Sequence, residues 1–193
     1  MRIIAGTYRS RTLQAPAGLA TRPTSDRLRE TLFNVLAPRI QGAAFLDLYA
    51  GSGAVGIEAL SRGAARVDFV ERAPAALAVL RANLAKLGLT AGFRIYEASV
   101  GTALRRMKPS AGTPFNLVFL DPPYHAAEEY AATLNMLGGS QAGLLASGAL
   151  LIAEHRKKER LEDKYGALGR TRLLEQGDAA LSFYAANSAD PSS

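Results

Sequence analysis

Strand patterns and helical patterns alternate along the middle of the chain, and this alternation restricts the fold more than any other feature. Each predicted strand is a short apolar run, and a segment with apolar residues at helical spacing follows it. Such βα repeats are typical of a mostly parallel sheet with helices on both faces. The strands are predicted at residues 44–49, 66–70, 93–96, 115–120 and 149–153, and the helices at residues 55–61, 74–87, 102–107 and 126–137.

The two ends of the chain depart from this alternation. Residues 3–13 predict a short β-hairpin or extended arm, and a helix with Thr24 as its N-cap follows and ends before Pro38. Residues 170–184, centred on Gly177-Asp178, are typical of an antiparallel hairpin. We therefore expect an α/β fold with a mostly parallel, seven-stranded, Rossmann-like sheet that the C-terminal antiparallel hairpin completes.

The chain length is that of one domain. We expect the N-terminal arm and first helix, residues 1–40, to belong to the same domain as residues 41–185. Residues 186–193 are small and polar, and we expect them to form a disordered tail.

The composition argues against several kinds of site and location. The 193 residues include no cysteine, so neither a disulfide framework nor a thiolate nucleophile is available. With only two histidines, a histidine-based metal site is not expected. No signal peptide follows the basic start, and no apolar run is long enough to span a bilayer. We therefore expect a cytoplasmic protein that uses no metal.

Positive charge is concentrated in the first fifth of the chain. Residues 1–40 carry seven arginines against Asp26 and Glu30, a net charge of +5, whereas the whole chain carries +6. An arginine-rich segment suits contact with the phosphate groups of a nucleic acid. A merely solvated basic surface is the alternative, and the charge pattern alone does not decide between the two.

The predicted strand at residues 115–120 ends in an unusual motif, Asp121-Pro122-Pro123-Tyr124. The two prolines lack N–H groups and fix φ, so a rigid turn presents a carboxylate, free carbonyl acceptors and an aromatic ring. Open α/β folds bind ligands at this carboxyl edge of the sheet. Acceptors beside an aromatic face suit a planar ring that carries an NH2 group. A stiff turn without a ligand is the structural alternative.

The first predicted strand also ends in a motif, which runs from Leu46 to Gly56 and includes Gly51 and Gly53. These glycines allow a tight turn and a close approach of the backbone to a ligand. Glu71, twenty residues after Gly51, is placed to accept hydrogen bonds from ribose hydroxyls. A glycine motif of this kind fits nicotinamide and flavin dinucleotides equally well.

Three features favour S-adenosylmethionine over a dinucleotide. Asp47 precedes Gly51 by four residues, where a carboxylate suits an ammonium group and not a pyrophosphate. A second nucleotide half-site has little room in 193 residues. Hydride transfer also has no use for the motif at Asp121, whereas transfer of a methyl group to an amine does.

On these motifs the chain resembles class I S-adenosylmethionine-dependent methyltransferases. More narrowly, it is similar to the bacterial family that methylates a guanine N2 in 16S ribosomal RNA, the ribosomal RNA small subunit methyltransferase D family. The matching segments are residues 2–6 with Arg9 and Arg11, residues 22–34, residues 46–60 and residues 121–124.

The resemblance implies S-adenosylmethionine as cofactor, S-adenosylhomocysteine as product, and a role for each matching residue. Ser99 departs from the pattern, because the family commonly has Asp or Asn there for the adenine amino group. The implied cofactor-binding residues are Asp47, Tyr49, Ala50, Gly51, Gly53, Glu71, Ser99 and Asp121. The implied catalytic residues are Asp121, Pro122 and Tyr124, and the implied RNA-binding residues are Arg2, Arg9, Arg11, Arg22 and Arg27.

The function implied is direct methyl transfer to a flipped-out guanine of 16S rRNA, at a site of the guanine 966 type. The substrate would be the small ribosomal subunit or its assembly intermediate, and the enzyme a monomer without a membrane partner. Methylation of DNA adenine N6 or of a protein glutamine remains an alternative. An NAD(P)-dependent oxidoreductase or a nucleotide-binding module remains the alternative outside the methyltransferases.

Overall fold

The computed structural model describes residues 1–15, 26–108, 114–123 and 127–186. Its helices are α1 (Asp26–Ile40), α2 (Ala54–Ser61), α3 (Pro74–Lys86), α4 (Val100–Arg106) and α5 (Ala127–Leu137), with a 3-10 turn at Ala142–Leu144. Its strands are β1 (Ala44–Leu48), β2 (Arg66–Glu71), β3 (Phe93–Glu97), β4 (Phe115–Leu120), β5 (Leu145–Arg156), β6 (Lys164–Tyr165), β7 (Leu168–Gln176) and β8 (Ala179–Ala186). Within these ranges, no helix combines the length and apolarity that a bilayer crossing needs.

All eight strands form one sheet in the order β3-β2-β1-β4-β5-β8-β7-β6. The first five strands of that order are parallel, and the last three pair antiparallel. This arrangement confirms the predicted α/β class, the mostly parallel sheet and the C-terminal hairpin. The eighth strand is β6, whose two residues are too few to produce a recognisable sequence pattern.

Each face of the sheet buries its own apolar layer. Phe45 and Phe69 point to the side covered by α1, α2 and α3, whereas Leu46 and Val70 point to the side covered by α4 and α5. Alternate residues of a strand point to opposite faces, so a sheet covered on both sides needs strands that are apolar throughout. Every residue of β1 is accordingly buried.

Helix α1 does not end before Pro38 as predicted, because it continues to Ile40. A proline removes the hydrogen bond to the carbonyl four residues earlier. That carbonyl belongs to Asn34, which is exposed, so water can satisfy it. Ile40 is buried in the core, and its packing stabilises the last turn. The predicted N-cap, Thr24, lies outside the described residues, as do residues 187–193 of the predicted tail.

Residues 1–13 form the predicted hairpin, here called the N-terminal hairpin. Arg2 pairs with Thr12 in a single antiparallel bridge. The Ile3 N–H donates to the Arg11 carbonyl at 3.0 Å, and the Leu13 N–H to the Met1 carbonyl at 3.0 Å. Ile3 and Leu13 are buried, so the hairpin is part of the core and not a detached arm.

Candidate active site at the carboxyl edge of the sheet

The predicted site residues meet at the carboxyl ends of three neighbouring strands. Leu48 of β1 lies opposite Val70 of β2 and opposite Leu120 of β4. The residues that follow these paired positions therefore lie side by side at one edge of the sheet. They are Tyr49, Glu71 and Asp121. This edge is where open parallel sheets bind ligands.

The turn from β1 into α2, residues 49–53, is here called the glycine turn. Tyr49, Gly51 and Gly53 have φ values of 62°, 57° and 78°, all in the left-handed region. At Gly53 a Cβ atom would overlap the Cδ1 atom of Leu80, so glycine is required there for space as well as for conformation. The Gly53 N–H closes the turn on the Ala50 carbonyl at 2.8 Å.

The Glu71 carboxylate holds the glycine turn against the start of α3. It accepts hydrogen bonds from the N–H groups of Gly51 at 2.8 Å, Arg72 at 2.7 Å and Ala73 at 2.8 Å. A carboxylate offers about four acceptor positions, so at least one is left for a ligand hydroxyl. Binding of ribose by Glu71 stays a prediction. The three hydrogen bonds show that Glu71 also has a structural role.

Asp47 lies inside the sheet behind the glycine turn and is only 2% exposed. Its Oδ2 accepts a hydrogen bond from the Gly56 N–H at 2.9 Å. The pKa of Asp47 is raised to about 7, mainly by burial, with the Gly56 bond opposing the increase and the nearby Glu71 charge adding to it. A cation bound at the turn would favour the ionised form. Its contact with a cofactor ammonium stays a prediction.

The Tyr49 side chain points toward α5. Its hydroxyl donates to Glu129 Oε2 at 2.8 Å and lies 3.0 Å from Thr133 Oγ1. Burial raises the pKa of Tyr49 above its ordinary value, so the phenol stays protonated and keeps donating. Tyr49 therefore ties the glycine turn to the helix that follows Asp121. The sequence motif could not show the direction of this side chain.

Asp121 leaves β4 beside Glu154, because Leu120 and Ala153 are paired in neighbouring strands. Burial raises the pKa of Asp121 well above its ordinary value, and the carboxylates of Glu154 and Asp47 raise it further. Among the described residues, no hydrogen bond reaches the Asp121 carboxylate, so it remains an available acceptor at the edge. Pro122 is buried and Pro123 exposed, and Tyr124 lies outside the described residues.

Ser99 is the N-cap of α4. Its Oγ accepts a hydrogen bond from the Thr102 N–H at 3.4 Å and donates to Thr102 Oγ1 at 3.0 Å. Serine is favoured at this position because it satisfies an N–H group that the helix leaves unpaired. Glu97, two residues before Ser99, forms an ion pair with Arg81 of α3. An adenine contact of Ser99 stays a prediction.

Four of the five arginines predicted to bind RNA are described, and all four are exposed. Arg9 and Arg11 lie on the N-terminal hairpin, and Arg27 lies in the first turn of α1. The Arg2 side chain is 72% exposed, and its Nε lies 3.8 Å from Asp26 Oδ2. Arg22 lies outside the described residues. RNA binding by these arginines stays a prediction.

A buried ionic network centred on Glu58 attaches the hairpin to α2. Glu58 accepts hydrogen bonds from the N–H groups of Ile4 at 2.8 Å and Ala5 at 3.0 Å. Arg62 Nε donates to Glu58 at 2.7 Å, and the fully buried Arg29 has its Nε 3.9 Å from Glu58. Glu58 and Arg62 are four residues apart at the end of α2, a spacing that predicts an ion pair. Arg29 and the hairpin belong to other elements, so no spacing rule could have connected them to Glu58.

Comparisons with known proteins agree with this geometry. The family model described as Conserved hypothetical protein 95 matches residues 1–185. The chain belongs to this family. It is 44% identical to ribosomal RNA small subunit methyltransferase D of Escherichia coli over 156 residues, which are 80% of this chain and 74% of that protein. It is 37% identical to YlbH of Bacillus subtilis over 184 residues, 95% of this chain and 98% of that protein.

A solved structure of a family relative has the same fold along almost the whole chain. The yhhF protein of Escherichia coli superposes with a TM-score of 0.83 at 36% identity, covering 96% of this chain and 97% of that one. The family and the methyltransferase class predicted from the sequence are therefore confirmed.

Proposed function

We propose that this protein transfers a methyl group from S-adenosylmethionine to the exocyclic N2 amine of a guanine in 16S rRNA. The observation that carries the proposal is the Asp121 carboxylate, which no described residue hydrogen-bonds and which stands level with the glycine turn. The relative from Escherichia coli is named as a methyltransferase of small-subunit ribosomal RNA, which supports the same class of substrate here.

The glycine turn and the carboxylates around it fit the chemistry of the cofactor. Its ammonium and sulfonium groups are cations, and their approach would favour the ionised forms of Asp47 and Asp121, whose pKa values burial raises. Gly51, where a Cβ would meet no side chain within 4 Å, leaves room for a ligand to approach the backbone. When bound, S-adenosylmethionine supplies an electrophilic methyl group.

Asp121 would orient the amine and accept its proton. The lone pair of guanine N2 is delocalised into the ring, so acceptors on its hydrogens are needed to turn that lone pair toward the methyl group. Asp121 and the Pro122 carbonyl provide such acceptors. As the N–C bond forms and the S–C bond breaks, the amine proton becomes acidic and passes to Asp121. The cofactor cation would favour the ionised form of Asp121, and the raised pKa makes that form a stronger base. Positioning accounts for most of the acceleration.

The exposed arginines would hold the RNA while the base leaves its stack. Extruding a base costs a few kcal/mol. Tyr124, which follows the prolines, would offset about 1–3 kcal/mol of this cost by stacking. Arg9 and Arg11 on the hairpin and Arg27 on α1 can contact phosphates. We propose the small ribosomal subunit or its assembly intermediate as substrate, and a monomeric enzyme.

The substrate is tested by labelling. Tritiated S-adenosylmethionine is incubated with the protein and with unmethylated small subunits, free 16S rRNA, DNA or protein. Label should appear in 16S rRNA as N2-methylguanine. Label that appears only in DNA or protein would refute the RNA substrate, and stabilisation of the protein by NAD(P) but not by S-adenosylhomocysteine would refute the methyltransferase.

The role of Asp121 is tested by Asp121→Asn, which keeps the shape of the side chain and removes its charge. Turnover should fall by about 10²–10⁴-fold, the usual contribution of a general base. Affinity for S-adenosylhomocysteine, measured by calorimetry, should change far less. Glu128→Gln, at an exposed position in the first turn of α5, is the matched control. Equal turnover in the two variants would remove Asp121 from the reaction.

A further inference from the structure

The side chain of Asn83 joins two parts of the protein that lie far apart in sequence. Asn83 is fully buried in α3. Its Oδ1 accepts a hydrogen bond from the Gln14 N–H at 2.8 Å, and its Nδ2 donates to the Gln14 carbonyl at 3.1 Å. The same Nδ2 donates to the Ser52 carbonyl at 3.0 Å. One amide group thus holds both the residue after the N-terminal hairpin and the middle of the glycine turn.

Helix α3 is the common support for these two parts. Leu80, three residues before Asn83 and on the same side of the helix, packs where a Cβ of Gly53 would lie. Lys86, three residues after Asn83, donates from Nζ to the Thr12 carbonyl at 2.9 Å. Leu80 therefore contacts the glycine turn and Lys86 contacts the hairpin, whereas Asn83 contacts both.

Contacts with α2 and α3 and the burial of Ile3 and Leu13 fix the position of the hairpin. A single bridge, Arg2 with Thr12, joins its two arms, and the hairpin is not a strand of the eight-stranded sheet. It carries three exposed arginines. They are Arg2, Arg9 and Arg11. A shift of the hairpin would move these charges relative to the glycine turn.

We propose that Asn83 is a positioning residue that couples the glycine turn to the N-terminal hairpin, so that cofactor and RNA strengthen each other's binding. The inference rests on the proposed function. A ligand that orders the turn fixes the direction of the Ser52 carbonyl, and this fixes the amide that holds the Gln14 backbone. RNA that binds to the hairpin afterwards then loses less conformational entropy, because the hairpin is already partly ordered. The coupling must be reciprocal between the two ligands.

The test compares two affinities. The Kd for unmethylated small ribosomal subunits is measured with and without saturating S-adenosylhomocysteine. In the wild-type protein we expect S-adenosylhomocysteine to tighten binding by about five-fold or more, the lower range of allosteric coupling. In Asn83→Ala the ratio of the two Kd values should fall to about one. A wild-type ratio of one, or an unchanged ratio in the folded variant, would overturn the proposal.

Two further variants separate coupling from loss of structure. Lys86→Met removes the bond to the Thr12 carbonyl and leaves the bonds of Asn83 in place, so RNA binding should weaken while the ratio of Kd values stays as in the wild type. Asn83→Asp keeps an acceptor for the Gln14 N–H but loses both donated bonds, and its ratio should fall like that of Asn83→Ala. If Asn83→Ala does not fold, as judged by thermal unfolding, Asn83→Asp decides.

The reciprocal measurement and a control for the function complete the design. The Kd for S-adenosylhomocysteine should tighten by the same factor when small subunits are present. A wild-type protein that neither binds nor methylates small subunits would refute the proposed function and this inference with it. Normal methylation combined with an unchanged ratio in both Asn83 variants would refute the coupling alone.

Discussion

Replacing Asp47 by asparagine should remove a pH-dependent loss of stability that burial imposes on the folded protein. Burial raises the pKa of Asp47 from 3.8 to about 7. The folded state therefore holds a proton that the unfolded chain releases near pH 4. Asparagine has nearly the same shape, carries no charge, and keeps an oxygen for the Gly56 N–H.

The size of the effect follows from the shift. Below about pH 4, Asp47 is protonated in both states and its stability contribution does not change. Between about pH 4 and 7 it ionises only in the unfolded state, so the free energy of unfolding falls as the pH rises. Raising the pKa from 3.8 to about 7 corresponds to about 4 kcal/mol, of which more than half falls between pH 5 and 8.

Urea unfolding at several pH values measures this contribution. The free energy of unfolding of Asp47→Asn, minus that of the wild type, should increase by about 2–3 kcal/mol from pH 5 to pH 8. Taking the difference removes the pH dependence of groups that do not interact with Asp47. Asp121 and Glu71 do interact with it, so the difference includes the change in their titration. Parallel pH profiles for the two proteins would refute the buried, proton-holding state of Asp47.

The same variant tests the proposed contact with the cofactor. If the ammonium group of S-adenosylhomocysteine lies near Asp47, binding should drive ionisation and release a proton below about pH 7. Affinity for S-adenosylhomocysteine in the wild type should then rise between pH 5 and 7. Calorimetry on Asp47→Asn should show weaker binding with a flatter pH dependence, and an identical pH dependence would place the ammonium elsewhere.

Three further substitutions test the supports of the site. Glu58→Ala leaves the buried Arg29 without that carboxylate, so the free energy of unfolding in urea should fall by about 3–5 kcal/mol. The Ile4 and Ala5 amides should also lose protection from hydrogen exchange, and retained protection would contradict the network. Gly53→Ala should cost about 2–4 kcal/mol and weaken cofactor binding, because its Cβ overlaps Leu80. Gly88→Ala, whose Cβ would meet nothing within 4 Å, should cost only about 1 kcal/mol, and equal losses would argue against the overlap. Tyr49→Phe should lower the free energy of unfolding by about 1–2 kcal/mol through its lost bonds to Glu129 and Thr133, and no change would show that those bonds contribute nothing.

Local patterns were enough to predict most of the fold. The apolar run at residues 115–120 and the alternation around Gly177-Asp178 depend on neighbours in sequence, and both predictions are confirmed. The predictions that differ from the structure depend on tertiary contacts. Pro38 stays inside α1 because Ile40 is anchored in the core, and β6 exists only because β7 pairs with it.

The candidate site divides in the same way. The positions of Asp47, Glu71 and Asp121 follow from the rule that parallel strands end at one edge. The hydrogen-bond partners of the residues beside them do not follow from this rule. The cofactor contacts of Tyr49 and Ser99 stay predictions, and the structure adds that the Tyr49 hydroxyl bonds to α5 and that Ser99 caps its own helix. A spacing rule places a Cα atom and leaves open which of several polar groups a side chain will reach.

By itself, the sequence determined the alternating α/β architecture, the glycine turn, the motif at Asp121 and the basic N-terminal segment. Each of these depends on short-range chemistry, such as side-chain periodicity, the missing N–H of proline or the missing Cβ of glycine. Only the tertiary structure decided that Glu58 and Asn83 hold the hairpin to α2, to α3 and to the glycine turn. Buried polar groups must find hydrogen-bond partners, and chain packing alone determines which ones are within reach.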